Sequence, residues 1–130
     1  MTGHKKRAIR LLLVDDDTAT RDGYTSYLAG AGYDVLSAAT GHEALITAAT
    51  SVLDVIVLDL ALPDVDGWEV ARQLKAAPGT ATIPIIALTG ANLPHERVSA
   101  MRAGCDRYVV KPCEPSDLAA MIQRCVAETA

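Results

Sequence analysis

Five short apolar runs alternate along this chain with five segments of helical length, and that alternation restricts the fold more than any other feature. The runs are Ala8 to Val14, Tyr33 to Ala38, Asp54 to Asp59, Ile83 to Thr89 and Arg107 to Val110. Their length and their β-branched residues mark them as strands. The segments between them begin near Thr18, Thr40, Asp66, Leu93 and Pro115. Strict strand–helix alternation implies a parallel sheet covered by helices on both faces. Right-handed crossovers then favour an α/β fold of the flavodoxin-like (βα)5 type, a doubly wound sheet of order 2-1-3-4-5.

Local chemistry places several helix ends. Thr40-Gly-His-Glu43 and Asp66-Gly-Trp-Glu69 both match a capping box, in which an N-cap side chain and an acid three residues later satisfy free amides. Asp17 is expected to cap the first helix. Pro115 fits a first helical position, with Asp117 favourable at the positive end of the helix dipole. Gly32 and Pro78-Gly79 are stop signals. Asp64, beside Pro63, reads as a solvated loop residue, and Trp68 as a half-buried packing residue.

The 130 residues suit one domain, expected over 8–127 behind a basic tail over 1–7. Half the residues are hydrophobic, which argues against disorder. No apolar run approaches the roughly 20 residues needed to span a bilayer, and the N-terminus lacks the pattern of a signal peptide. A cytoplasmic location is the expectation, with no membrane partner. Net charge is −4, but Lys5, Lys6, Arg7 and Arg10 stand in the first ten residues, so the remainder is distinctly acidic. An acidic body is a poor match for nucleic acid. Cys105, Cys113 and Cys125 show neither CxxC pairing nor zinc-ligand spacing and are expected to be reduced, buried or half-buried thiols. His4, His42 and His95 have no ligand spacing either, and are expected to be exposed.

In sheets of this kind ligands gather at the carboxyl ends of the strands, beside the point where strand order reverses. There the first run ends in Asp15, Asp16 and Asp17, and the third ends in Asp59. Thr89 ends the fourth run and Lys111 follows the fifth. Three ionised acids (Asp15, Asp16, Asp59) against one lysine leave like charges opposed. Two unit charges about 4 Å apart interact by ~4 kcal/mol at an effective dielectric near 20. A divalent cation would neutralise the group, and all-oxygen ligands at an open site favour Mg²⁺. Asp59 is then a candidate nucleophile toward a phosphoryl group, with Lys111 and Thr89 facing the phosphoryl oxygens.

The sequence resembles the receiver (response-regulator) domain of bacterial two-component signalling. The resemblance rests on "LLVDDD", "VLDLALPDVDG", "ALTG" and "YVVKP", in that order, and covers nearly the whole chain. It implies that Asp59 is the phosphoacceptor, that Asp16 binds Mg²⁺ directly and Asp15 through a metal-bound water, and that the Ala61 carbonyl completes the protein ligands. It further implies that Thr89 and Tyr108 form a switch and that the Lys111–Pro112 bond is cis. Gly90 and Cys113 depart from the alanine and phenylalanine common in the family. Ala61 and Ala91 occupy positions that influence hydrolysis there, and neither can orient a water.

The function so implied is a switch phosphorylated by a sensor histidine kinase or a histidine phosphotransfer protein. It would signal through the face of the fourth helix, fifth strand and fifth helix, as a monomer or a phosphorylation-linked homodimer. The chain ends soon after the fifth helix, so it is expected to stand alone without an output domain, a fragment of a larger hybrid kinase being the alternative. Such a chain is a phosphoacceptor that handles its own phosphoryl group rather than an enzyme acting on others. A Mg²⁺-dependent phosphatase of the haloacid-dehalogenase type would also use Asp, Thr and Lys. It would need an acid two residues beyond the nucleophile, where Ala61 stands. A nucleotide- or flavin-binding module would need a glycine- or hydroxyl-rich phosphate loop where this chain has Asp15-Asp16-Asp17.

Overall fold

The structure, a computed structural model, describes residues 8–90 and 94–129, without the side chains of 94–96 and 129. The basic tail with His4, the helix start near Leu93, Ala91 and the side chain of His95 lie outside the described residues. The elements alternate as β1 (Arg10–Val14), α1 (Thr18–Gly30), β2 (Asp34–Ala38), α2 (Gly41–Thr50), β3 (Val55–Asp59), α3 (Gly67–Ala76), β4 (Ile85–Thr89), α4 (Pro94–Arg102), β5 (Arg107–Val110) and α5 (Pro115–Thr129). The strands form one parallel sheet of order β2-β1-β3-β4-β5, the order expected from the sequence. Among the described residues, no helix is long and apolar enough to cross a membrane.

The pleat divides each central strand between two cores. Leu12, Val14, Ile56, Leu58, Ile85 and Ala87 face α2, α3 and α4, where Ala44, Val70, Ala71, Leu74 and Ala100 meet them. Leu11, Leu13, Val55, Val57, Ile86 and Leu88 face α1 and α5, against Tyr24, Leu28, Leu118 and Ile122. Both faces of β1, β3 and β4 are therefore dry, which is why these strands read as continuous apolar runs. Each buried leucine, isoleucine or valine among them stabilises the fold by roughly 1.5–3 kcal/mol relative to exposure.

Two strands start two residues later than their apolar runs. The first run leads into β1 only at Arg10, whose amide is taken by the Asp54 carboxylate (2.8 Å). The fourth becomes β4 at Ile85, because Pro84 has no N–H to place in a ladder and contributes only its carbonyl, to Ile56 N (3.0 Å). Gly32 has a φ of +99°, a left-handed turn that ends the α1 connection.

The helix starts are mixed. Thr40 Oγ1 accepts the Glu43 amide (3.1 Å), the first half of the capping box, while the Glu43 carboxylate reaches one residue past the N-cap, to Ala39 N (2.8 Å). The box expected at Asp66 does not form. Asp66 occupies the N-cap of α3 but its side chain caps nothing. Its carbonyl takes the amides of Glu69 and Val70, while the Glu69 carboxylate is drawn along the helix to Arg72 and Gln73. Trp68 is half-buried, His42 is exposed, and Cys105 and Cys125 are buried with Cys113 half-buried.

Candidate functional site

Register alone brings the first two acids together. Val14 pairs with Leu58 across β1 and β3, so the next residues, Asp15 and Asp59, emerge side by side at the carboxyl edge. Both are almost completely buried, at 0% and 4% exposure. Isolated buried carboxylates are costly, and each here has two donors. Asp15 Oδ1 accepts the Asp17 amide (2.9 Å) and its Oδ2 accepts Lys111 Nζ (2.8 Å). Asp59 Oδ1 accepts the Ala61 amide (2.9 Å) and its Oδ2 accepts the same Lys111 Nζ (3.1 Å).

Lys111 arrives at this point because the β5 exit is pinned to β4. Thr89 pairs with Val110, and the Lys111 amide donates to the Thr89 carbonyl (2.7 Å). The Lys111–Pro112 peptide bond is cis. The Tyr24 hydroxyl, from α1, donates to the Cys113 carbonyl (2.7 Å) and ties down the loop beyond. Thr89 is buried at the end of β4. Tyr108, paired with Ala87, is half-buried against the core on the α2–α3–α4 side.

Asp16 is exposed, and its carboxylate closes the acid group. One oxygen each from Asp15, Asp16 and Asp59 lie within 4.8 Å of one another. Three carboxylates against one ammonium leave the group net negative, open to solvent on the Asp16 side. Hard oxygen donors with excess negative charge fit a hard divalent cation such as Mg²⁺.

Burial pushes the Asp59 carboxyl above its ordinary value, and the Ala61 amide and Lys111 only partly offset it. For Lys111, burial works against the charged form. The hydrogen bonds and charges of Asp15 and Asp59 together outweigh it, leaving the ammonium above its ordinary value. Both shifts report the same tension: charges desolvated at the end of a sheet, with too few partners of opposite sign.

The remaining acids of the two loops have other work. Asp17 caps α1, accepting Thr20 N (2.9 Å) and the Thr20 hydroxyl (2.6 Å). Those two bonds hold its carboxyl below the ordinary value. Asp64, expected as a solvated bystander, is exposed but engaged. Its two oxygens accept the amides of Gly41 (2.8 Å) and His42 (3.0 Å) at the start of α2. The His42 and Gly41 amides hold its carboxyl below the ordinary value. No motif flags that contact, because its partners stand more than twenty residues away. Arg21 likewise escapes a sequence reading: its Nη1 donates to the Asp15 carbonyl (2.8 Å).

This doubly wound parallel sheet carries an acid group and a lysine at its switch point, and residues 11–123 match the model of the response regulator receiver domain. The chain belongs to that family, the receiver domains of two-component response regulators. It is 38% identical over 121 residues to the response regulator MprA of Mycolicibacterium vanbaalenii, an alignment covering 93% of this chain and 52% of that protein. The chain thus spans about half the length of the curated relatives it matches. Its structure is similar to that of a CheY-like receiver domain protein from Methanospirillum hungatei (TM-score 0.88, 32% identity, covering 94% of this chain and 96% of that one). It is also similar to the receiver domain of sensor histidine kinase PA1611 from Pseudomonas aeruginosa (TM-score 0.86, 31% identity, covering 92% and 98%). That neighbour was solved with a magnesium ion coordinated in its active-site cleft.

Proposed function

We propose that this chain is a phosphoacceptor switch in which Asp59 takes a phosphoryl group from a phosphohistidine of a sensor histidine kinase or histidine phosphotransfer protein. The observation that carries the reading is the single Lys111 ammonium held between two buried carboxylates, Asp15 and Asp59, at 2.8 and 3.1 Å. A structural ion pair needs one acid; a second and third acid around one lysine make sense where a cation and a phosphoryl group complete the charge balance.

Asp15, Asp16 and Asp59, with the Ala61 carbonyl, would hold Mg²⁺, which when bound would supply positive charge for the phosphoryl oxygens. An Asp59 oxygen attacks phosphorus as the bond to the donor nitrogen breaks, and the donor histidine leaves neutral after taking up a proton. Lys111 holds the Asp59 carboxylate before transfer and faces the phosphoryl oxygens after it. Thr89, one strand over, donates its hydroxyl to the phosphoryl group. Thr89 and Tyr108 then carry the change to the face of α4, β5 and α5, shifting a pre-existing equilibrium there. Output passes by protein contact in the cytoplasm, as a monomer or a phosphorylation-linked homodimer, without contact of this domain to nucleic acid or membrane.

A second reading keeps the same switch but joins it to further domains, and it is favoured by the half-length coverage of the MprA relatives. The size of the native protein on an immunoblot of source cells separates the two. The switch itself is tested by incubation with Mg²⁺ and acetyl phosphate followed by intact-mass measurement. One labile phosphoryl adduct is expected, absent in Asp59→Asn and with EDTA. Turnover of a general phosphatase substrate without an adduct would favour the dehalogenase-type reading that Ala61 argues against.

A further inference from the structure

Asp64 stands three residues beyond Ala61, outside the acid group, yet both of its carboxylate oxygens are committed. They accept the first two amides of α2, Gly41 N at 2.8 Å and His42 N at 3.0 Å. Thr40 Oγ1 takes the third amide and Thr40 O the fourth, at 3.0 Å. Three amides at the α2 start that lack an intrahelical partner are therefore met by side chains, two of them by Asp64 from the loop between β3 and α3.

The approach is tight enough to require glycine. A Cβ on Gly41 would lie 2.8 Å from Val70 Cγ2, 3.3 Å from Val65 Cβ and 3.4 Å from Asp64 Oδ1. The chain at Gly41 is thus pressed against both the loop and the first turns of α3.

These contacts close a ring around the acid group. The Asp15 amide donates to Ala38 O (3.1 Å) at the end of β2. Ala39 and Thr40 lead directly into Gly41 and His42, which hold Asp64. From Asp64 the loop runs back through Leu62 to Ala61, whose amide rests on Asp59 (2.9 Å). Asp59 and Asp15 meet again at Lys111. One side of the ring carries the Asp15 and Asp16 carboxylates and the other carries the Ala61 carbonyl. Asp64 is the side chain that fixes the loop beyond Ala61 to the α2 start.

We infer that Asp64 is a positioning residue for the metal site: by gripping the α2 start it sets where the Ala61 carbonyl sits relative to Asp15 and Asp59. The inference rests on the Mg²⁺ site proposed above. Asp64 itself touches neither metal nor phosphoryl group. A purely structural cap would stabilise α2 and leave ion affinity unchanged.

The test compares Asp64→Ala, Asp64→Asn and Thr40→Ala, each titrated with Mg²⁺ and followed by Trp68 fluorescence, with amide exchange of Ala61 measured in the metal-free proteins. Removing a group that orients a metal ligand weakens binding by about tenfold or more, so Asp64→Ala is expected to bind Mg²⁺ about tenfold more weakly. Asp64→Asn, which keeps one acceptor oxygen, should fall between it and wild type. Thr40→Ala loses an α2 cap without touching the loop, so it should melt earlier and bind Mg²⁺ like wild type. Faster exchange at Ala61 is expected in Asp64→Ala, less so in Asp64→Asn, and not in Thr40→Ala. Wild-type Mg²⁺ affinity in Asp64→Ala, or an equal loss in Thr40→Ala, would overturn the positioning role and leave the metal site standing. Failure of the wild type to bind Mg²⁺ would overturn both.

Discussion

Gly67, the first residue of α3, offers a test in which two ordinary rules give opposite signs. Replacing a helical glycine by alanine normally stabilises a protein by roughly 0.5–1 kcal/mol. At Gly67 a Cβ would stand 2.5 Å from Leu60 Cα and 2.9 Å from Asp59 O, both backbone atoms. The Leu60 backbone would have to withdraw by about 0.9 Å to reach the 3.4 Å edge of ordinary contact, straining the 3.1 Å bond from Gly67 N to Leu60 O. Overpacking of this kind costs about 1–3 kcal/mol, more than the propensity gain. Gly67→Ala should therefore be less stable than wild type by roughly 1–2 kcal/mol, and its displaced Leu60–Ala61 segment should bind Mg²⁺ more weakly. Gly23, inside α1 with nothing within 4 Å of its would-be Cβ, is the control. Gly23→Ala should be more stable by roughly 0.5–1 kcal/mol. Urea unfolding followed by circular dichroism reads both, provided the m value stays constant. A Gly67→Ala midpoint equal to or above that of wild type would refute the close approach of α3 to the acceptor strand.

Lys111→Met leaves Asp15 and Asp59 facing each other without their cation. Breaking a buried pair costs about 3–5 kcal/mol, and the partial exposure of Lys111 argues for the lower part of that range; thermal melts in EDTA should show the loss and added Mg²⁺ should recover part of it. The raised Asp59 carboxyl binds its proton more tightly folded than unfolded, so its contribution to stability falls as pH rises from the unfolded value of 3.8 through the raised one. In EDTA, Asp59→Asn should accordingly melt above wild type near neutrality, with the gap closing as pH falls toward 4; a gap independent of pH would contradict the buried charge. Burial pushes the Cys105 thiol up to about 11, so iodoacetamide near pH 8 should label half-buried Cys113 first, and peptide mapping should find Cys105 modified only on unfolding.

The sheet was legible because burial on both faces writes itself as unbroken apolar runs, and Leu11–Val14, Val55–Leu58 and Ile85–Leu88 carry that signature. The acid group was legible for the same reason: a carboxylate directly after such a run, as at Asp15 and Asp59, conflicts with its surroundings unless it has partners. Asp64 was not legible, since its partners are two backbone amides brought near only by the packing of α2 against α3. Asp66 misled because a capping box names a sequence pattern, and Glu69 had Arg72 and Gln73 one turn away as competing partners. Tyr24 and Arg21 hold the site through main-chain carbonyls, a contact to which no residue type is specific.

Chemical trapping tests directly whether Asp59 is the acceptor. Protein incubated with acetyl phosphate and Mg²⁺ is reduced with borohydride, which converts an acyl phosphate to the corresponding alcohol, and the peptides are mapped by mass spectrometry. Homoserine is expected at position 59 and in place of no other aspartate. Reduction at Asp15, Asp16 or Asp64, or at no aspartate at all while the intact protein carries a phosphoryl group, would contradict that assignment.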